Sequence, residues 1–291
     1  MTHSIKRLLI ALCTSTAILT PLLSMSFVNN SYTISPLVSE LELEKPGTIS
    51  TMVLDVLNEK DTKIKLQVRP KMWTIGPEGG LTYLETPVGF DLQKDIMISP
   101  REFELEPFQH KSVRFGVKRS TTLQDGEYRF QLAFEEAKLM PDFTETMKQN
   151  GVTAVINTKT ILASTIYVHA GNTAAKIVMG DLQCRFQEDQ SGLKNTIQVT
   201  NEGTKHARLL GVMVLNKKDS LGKFMPEKQV DMNSGGVVVL LPGMHKEVSG
   251  ELLTKEELLK MTVGQYRADM TLMDERGVEP AMTKSCDITI P

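Results

Sequence analysis

Aromatic residues are scarce in this chain, at 5% of 291 residues, and there is a single tryptophan, Trp73. Methionine reaches 16, so any core has to be assembled from Val, Ile, Leu and Met. An excess of charge of one sign is missing too. With 33 basic and 35 acidic side chains the formal net charge is -2. No basic footprint of the kind that neutralises phosphates is present, which excludes nucleic acid as an expected partner. Glycine at 20 and proline at 13 are too few for a collagen-like or low-complexity chain. What is present, 41% hydrophobic against 23% charged residues, is a balance that folds, at a length suited to about two domains.

Long apolar runs are absent except at the N-terminus. There, Lys6 and Arg7 precede an apolar stretch over residues 8–23 that contains Cys13 and Pro21 and is followed by Ser24-Met25-Ser26. This reads as a secretory signal peptide, residues 1–26, cleaved after Ser26. The stretch is short of the ~20 residues of a membrane span, so no stable span is expected after cleavage. Cys13 follows Leu12 in mid-run, which is not a lipoprotein arrangement. Cleavage removes two bases and no acid, and leaves Cys184 and Cys286. An even number of cysteines in an exported chain predicts a disulfide between them, with two buried thiols as the alternative.

Beyond the leader, short alternating segments bounded by Gly, Pro, Asn or Asp predict antiparallel strands over residues 51–57, 63–68, 112–117, 128–134 and 152–168. Residues 137–151 are polar and weakly periodic and read as a mobile loop. A small, polar stretch from His169 to Thr173 marks a domain boundary, giving domains over 27–170 and 171–291. Further strands are expected over 176–186, 195–201, 207–215, 236–241 and 264–273. Thr254, with Glu257 three positions on, resembles a capping box opening a short helix through Lys260.

Catalytic signatures are lacking. His3, His110, His169, His206 and His245 show no metal-ligand spacing, so no metal site or cofactor is expected. Phosphate-binding glycine loops and a nucleophile elbow are absent. The S-x-x-K matches beginning at Ser191 and Ser220 contain glycine in predicted turns, where a helix-borne nucleophile would not sit. Acids such as those in Leu41-Glu42-Leu43-Glu44 alternate with apolar residues and read as a solvated strand face. An enzyme is not expected.

One region is more specific. Ile98-Ser99-Pro100-Arg101-Glu102-Phe103-Glu104-Leu105-Glu106-Pro107 is followed by Ser112-Val113-Arg114-Phe115 and by Asp125-Gly126-Glu127-Tyr128-Arg129-Phe130-Gln131-Leu132. This resembles the first domain of PapD-type periplasmic pilus chaperones, and residues 52–58 resemble that family's second strand. The resemblance implies an all-β chain of two consecutive immunoglobulin-like β-sandwich domains. It also implies a periplasmic, non-enzymatic protein that binds a secreted pilus or surface-structure subunit by edge-strand pairing, with an outer-membrane usher as a further partner. The pairing strand would be 152–168, with Val152, Ala154 and Ile156 on one face and Val155 on the other. The family holds the subunit's terminal carboxylate with an arginine and a lysine. Aligned on Pro36 and Tyr167, those positions carry Val38 and Ser164, leaving Lys159 and Lys176 as candidates for a displaced clamp. The alternative reading is a structural or adhesive immunoglobulin-like envelope protein that hands nothing on.

Overall fold

The computed structural model describes residues 32–76, 79–85, 91–137, 144–149, 152–157, 161–187, 192–231, 237–276 and 281–291, of which 144–149 and 152–157 are described as backbone. The leader and Lys159 lie outside the described residues. In chain order the first half forms β1 (Tyr32–Ser35), β2 (Val38–Leu43), β3 (Ile49–Asn58), β4 (Ile64–Ile75), β5 (Leu81–Tyr83), β6 (Ile96–Ser99), β7 (Glu102–Leu105), β8 (His110–Lys118), β9 (Gly126–Glu136), β10 (Thr144–Gln149), β11 (Val152–Asn157) and β12 (Ile161–Ala170). One sheet runs β1-β3-β8-β6 and a second runs β2-β12-β9-β4-β5, with β7 also on β4.

The chain changes sheets at Pro36. Before it, β1 pairs antiparallel with β3; after it, β2 pairs parallel with β12. Proline has no N–H to give a ladder, so pairing stops there and restarts on the other sheet. Period-two burial then fills the space between the sheets, with Leu54 and Val56 from β3, Val113, Phe115 and Val117 from β8, Phe130, Leu132 and Phe134 from β9, and Ile166 and Val168 from β12. Each such side chain contributes roughly 1.5–3 kcal/mol of transfer free energy. Phe115 and Phe130 meet edge to face across the layers, with ring centroids 6.2 Å apart. The Tyr32 hydroxyl donates to the Phe134 carbonyl and accepts from the Leu162 N–H, so it bridges β9 and β12 from below. Burial pushes its phenol up to about 12.

The second half forms β13 (Ile177–Met179), β14 (Gln183–Phe186), β15 (Gly192–Asn201), β16 (Ala207–Lys218), β17 (Phe224–Asp231), β18 (Val238–Leu240), β19 (His245–Thr254), α1 (Lys255–Leu258), β20 (Gly264–Asp274) and β21 (Met282–Ile290). Its sheets are β13-β15-β14 with β19 on β15, and β17-β16-β20-β21 with β18 on β16. Leu193, Ile197, Leu209, Met213, Tyr266 and Met270 belong to its core. Cys184 on β14 and Cys286 on β21 form the expected disulfide, linking the two sheets with Cα atoms 6.1 Å apart. Closing a loop of about 100 residues stabilises by roughly 4.7 kcal/mol on the chain-entropy account. The fold is thus two consecutive immunoglobulin-like sandwiches, and Ser31–Pro291 pack as one compact unit.

Gly171 follows β12 at φ +68, where a Cβ would lie 2.3 Å from Asp125. Only glycine suits both the left-handed backbone and the close approach. The helix is shorter than its sequence signal, ending at Leu258, but its capping box is formed. Thr254 Oγ1 accepts from the Glu257 N–H, and the Glu257 carboxylate accepts from the Thr254 N–H. Residues 152–168 form two strands, with 158–160 between them outside the described residues. Within the expected loop over 137–151, residues 144–149 form a strand that pairs with β11 as a two-stranded sheet. The expected single strand over 176–186 is likewise two, β13 and β14, both laid on β15.

Candidate functional site

Two places merit description: the strand edge that the sequence singles out, and a buried polar junction that it does not. On the edge, the β10–β11 register sets Ile156 opposite Glu145, Val155 opposite Thr146, Ala154 opposite Met147 and Val152 opposite Gln149. Among the described residues β11 pairs with β10 alone. β12 pairs with β9 along its whole length, whereas β2 joins its other side only from Thr165 onward, starting at Val38. Residues 161–164 therefore have no strand partner on that side among the described residues.

Val38 and Ser164 meet at the point where β2 begins. Val38 stands opposite Thr165, whose N–H donates to the Leu37 carbonyl, while the Ser164 hydroxyl donates to the Pro36 carbonyl at 2.8 Å. The apolar side chains of Leu37, Val38 and Ile161 are exposed beside this edge. Lys176 is exposed on the second sandwich, where its ammonium lies 2.9 Å from Glu202, which raises its pKa.

The junction is built from the outward face of the β2-β12-β9 sheet. Since Ile166, Val168 and Ala170 point into the core, the alternate residues Tyr167 and His169 point the other way. The register sets Glu40 opposite Tyr167 and Glu42 opposite His169 on one side, and Arg129 opposite Tyr167 and Glu127 opposite His169 on the other. Directly opposed residues share a face, so these six side chains form two cross-strand rows. The second sandwich answers with Lys205 and His206 at the head of β16 and Arg276 after β20. Its Leu241 is buried with Trp73 and Tyr167. Trp73 meets the edge of Tyr167 at 5.7 Å, and Tyr167 stacks on His206 at 3.8 Å. Burial, and then the nearby Glu127 charge, pushes the Tyr167 phenol up to about 12.

Glu127, His169 and His206 have fully buried side chains. Glu127 Oε2 accepts from the His206 backbone N–H at 2.7 Å and lies 2.5 Å from His206 Nδ1 and 3.4 Å from His169 Nε2. Burial alone would raise this carboxyl, but the pull of His169 Nε2 at 3.4 Å and the hydrogen bonds and charge of His206 outweigh it and hold Glu127 at about 2. Glu40 is also lowered, against the opposing effect of burial, by Arg276, His206 and Lys205. The acids on β2 are therefore not a simple solvated face. They tie the first sandwich to the second through Arg276 at 3.0 Å and Lys205 at 3.3 Å from Glu40. Residue spacing concealed this cluster because its members come from five separate places in the chain. The one local signal was the small, polar stretch around His169.

No family model matches the chain, and no curated protein matches it. Solved structures do match. The class 5 fimbriae chaperone CfaA is similar at 12% identity, with 87% of this chain and 98% of that chain covered and a TM-score of 0.46. A chain from the CsuC–CsuE chaperone–tip adhesion subunit pre-assembly complex of Acinetobacter baumannii is similar at 15% identity, covering 87% and 97%, with a TM-score of 0.45. A chain from the Salmonella enterica SafA pilin–SafB chaperone complex is similar at 13% identity, covering 89% and 96%, with a TM-score of 0.42. Each likeness thus extends over nearly the whole of the matched chain.

Proposed function

We propose that this protein is an exported chaperone-like binding protein, not an enzyme, which captures a secreted pilus or surface-structure subunit by adding its own strand edge to the subunit's sheet. The observation that carries the reading is the uncovered edge of the first sandwich. β11 has one strand partner among the described residues, and β12 lacks a second partner over 161–164. Unpaired backbone N–H and C=O groups on such an edge are a template for another chain. The apolar residues Val152, Ala154 and Ile156 would supply register on one face and Val155 on the other. Lys159 and Lys176 are the candidates for holding a subunit carboxylate, in place of a clamp at Val38 and Ser164. We take the leader to end at Ser26, the division between domains to fall near Gly171, and the compartment to be the periplasm. No described helix is long and apolar enough to cross a membrane.

The test is co-expression of the chain with secreted subunits encoded beside it, followed by purification of the complex. A one-to-one complex is expected with the unaltered chain, and Ile156→Asp, which puts a charge into the proposed pairing face, is expected to abolish it. A complex indifferent to Ile156→Asp would remove the strand edge from the account. Assembly of the chain itself into surface material, with no soluble complex, would establish the structural or adhesive alternative.

A further inference from the structure

We propose that Glu127, His169 and His206 form a binding site for a divalent transition-metal ion of the zinc class, which pins the two sandwiches together. This site is separate from the strand edge proposed to bind a subunit. His169 Nε2 and His206 Nδ1 converge on one carboxylate oxygen, Glu127 Oε2, at 3.4 and 2.5 Å. Candidate ligand atoms of these three residues all lie within 4.8 Å of one another. Two imidazoles with one carboxylate suit zinc, cobalt, nickel or copper, whereas calcium and magnesium favour all-oxygen sites.

The far side of the His169 ring is provided for, whereas His206 Nε2 is buried without a hydrogen-bond partner among the described residues. His169 Nδ1 lies 2.9 Å from Glu42 Oε1, and His206 Nε2 lies 3.6 Å from Glu40 Oε1. A carboxylate hydrogen-bonded behind a histidine, as Glu42 is behind His169, is the usual means of fixing a ligating ring's tautomer and orientation. On the other side of the His169 ring, Nε2 faces the Glu127 carboxylate at 3.4 Å. That Nε2 is buried and has no hydrogen-bond partner among the described residues. A buried ring nitrogen without a hydrogen-bond partner, set against a carboxylate oxygen, is a position that a metal ion fills. Of the surrounding cations, Lys205 lies on Glu40 and Glu42, Arg276 on Glu40, and Arg129 on Glu127 Oε1, the carboxylate oxygen that the two rings do not share. On binding through Nδ1, His206 would carry its one ring hydrogen on Nε2, on the Glu40 side, and any second proton would leave to solvent. Three protein ligands would leave a fourth position for water.

The experiment titrates Zn2+, Co2+ and Mg2+ into the untagged, chelator-treated chain by calorimetry, with the visible spectrum of the Co2+ form recorded in parallel. One Zn2+ per chain is expected, with no binding of Mg2+. His169→Gln and His206→Gln should abolish stoichiometric binding, and Glu42→Gln should weaken it about 10- to 100-fold. His110→Gln, at an exposed histidine outside the junction, should change nothing. Because the junction variants could fail to fold, the unaltered chain is also followed by imidazole NMR, where Zn2+ should shift the His169 and His206 resonances and leave His110 and His245 in place. Absence of Zn2+ binding to the unaltered chain, shifts confined to His110 or His245, or full binding in the folded histidine variants would overturn the proposal.

Discussion

At the scale of single residues, Glu127 carries most of the electrostatics. Its folded pKa of about 2 lies below the ordinary 4.5. A depressed carboxylate contributes stability that is fully present above its unfolded pKa and lost as pH falls through the folded one. The window for this loss is therefore about pH 4.5 down to about pH 2, and the contribution is on the order of 3 kcal/mol. Glu127→Gln keeps the shape and removes the charge. Urea unfolding across a pH series should show the variant less stable at neutral pH, with a shallower decline between those limits. Parallel decline of variant and parent would show that the histidines do not stabilise the ionised form. None of this was legible beforehand. The residue types of Glu40, Glu42, Glu127, His169 and His206 are plain in the sequence, but only strand register and sandwich packing bring them together.

At the scale of elements, the alternating strands were the legible part, because a sheet with one buried face imposes a period of two on its sequence. β3, β8, β9, β16 and β20 all fall where the alternation places them. Strands without such a demand escaped notice. Thr144-Glu145-Thr146-Met147-Lys148-Gln149 is a polar stretch with no period, and β19 opens on His245-Lys246-Glu247 before any apolar residue appears. The two sandwiches also share a device that ends a long strand. Asn58 is buried at the end of β3, where its amide donates to the Thr62 and Glu106 carbonyls and its oxygen accepts from the Lys60 N–H. Asn201 does the same at the end of β15, donating to the Lys205 and Leu240 carbonyls and accepting from the Gly203 N–H. Alanine at either position would remove the partner of several buried or part-buried backbone groups, at up to about 1–3 kcal/mol for each one that water cannot reach. Thermal unfolding should therefore place Asn58→Ala and Asn201→Ala well below the parent in Tm, while alanine at exposed Asp219, on the β16–β17 turn, should cost far less.

At the scale of the whole molecule, two β-sandwiches with separate apolar cores are joined by a junction that is aromatic at Trp73 and Tyr167 and ionic around Glu127. The scarcity of aromatics thus has a structural meaning. The one tryptophan lies at the junction and not in the core of either sandwich. The proposed working surface lies along the edge formed by β11 and the first residues of β12. Hydrogen exchange of the full chain, alone and with a secreted subunit bound, tests that claim most directly. The account predicts that binding slows exchange at the amides of Val152–Asn157 and of residues 161–164, with little change along β15 and β16 of the second sandwich. Protection confined to the second sandwich, or none at β11 and the first residues of β12, would contradict it.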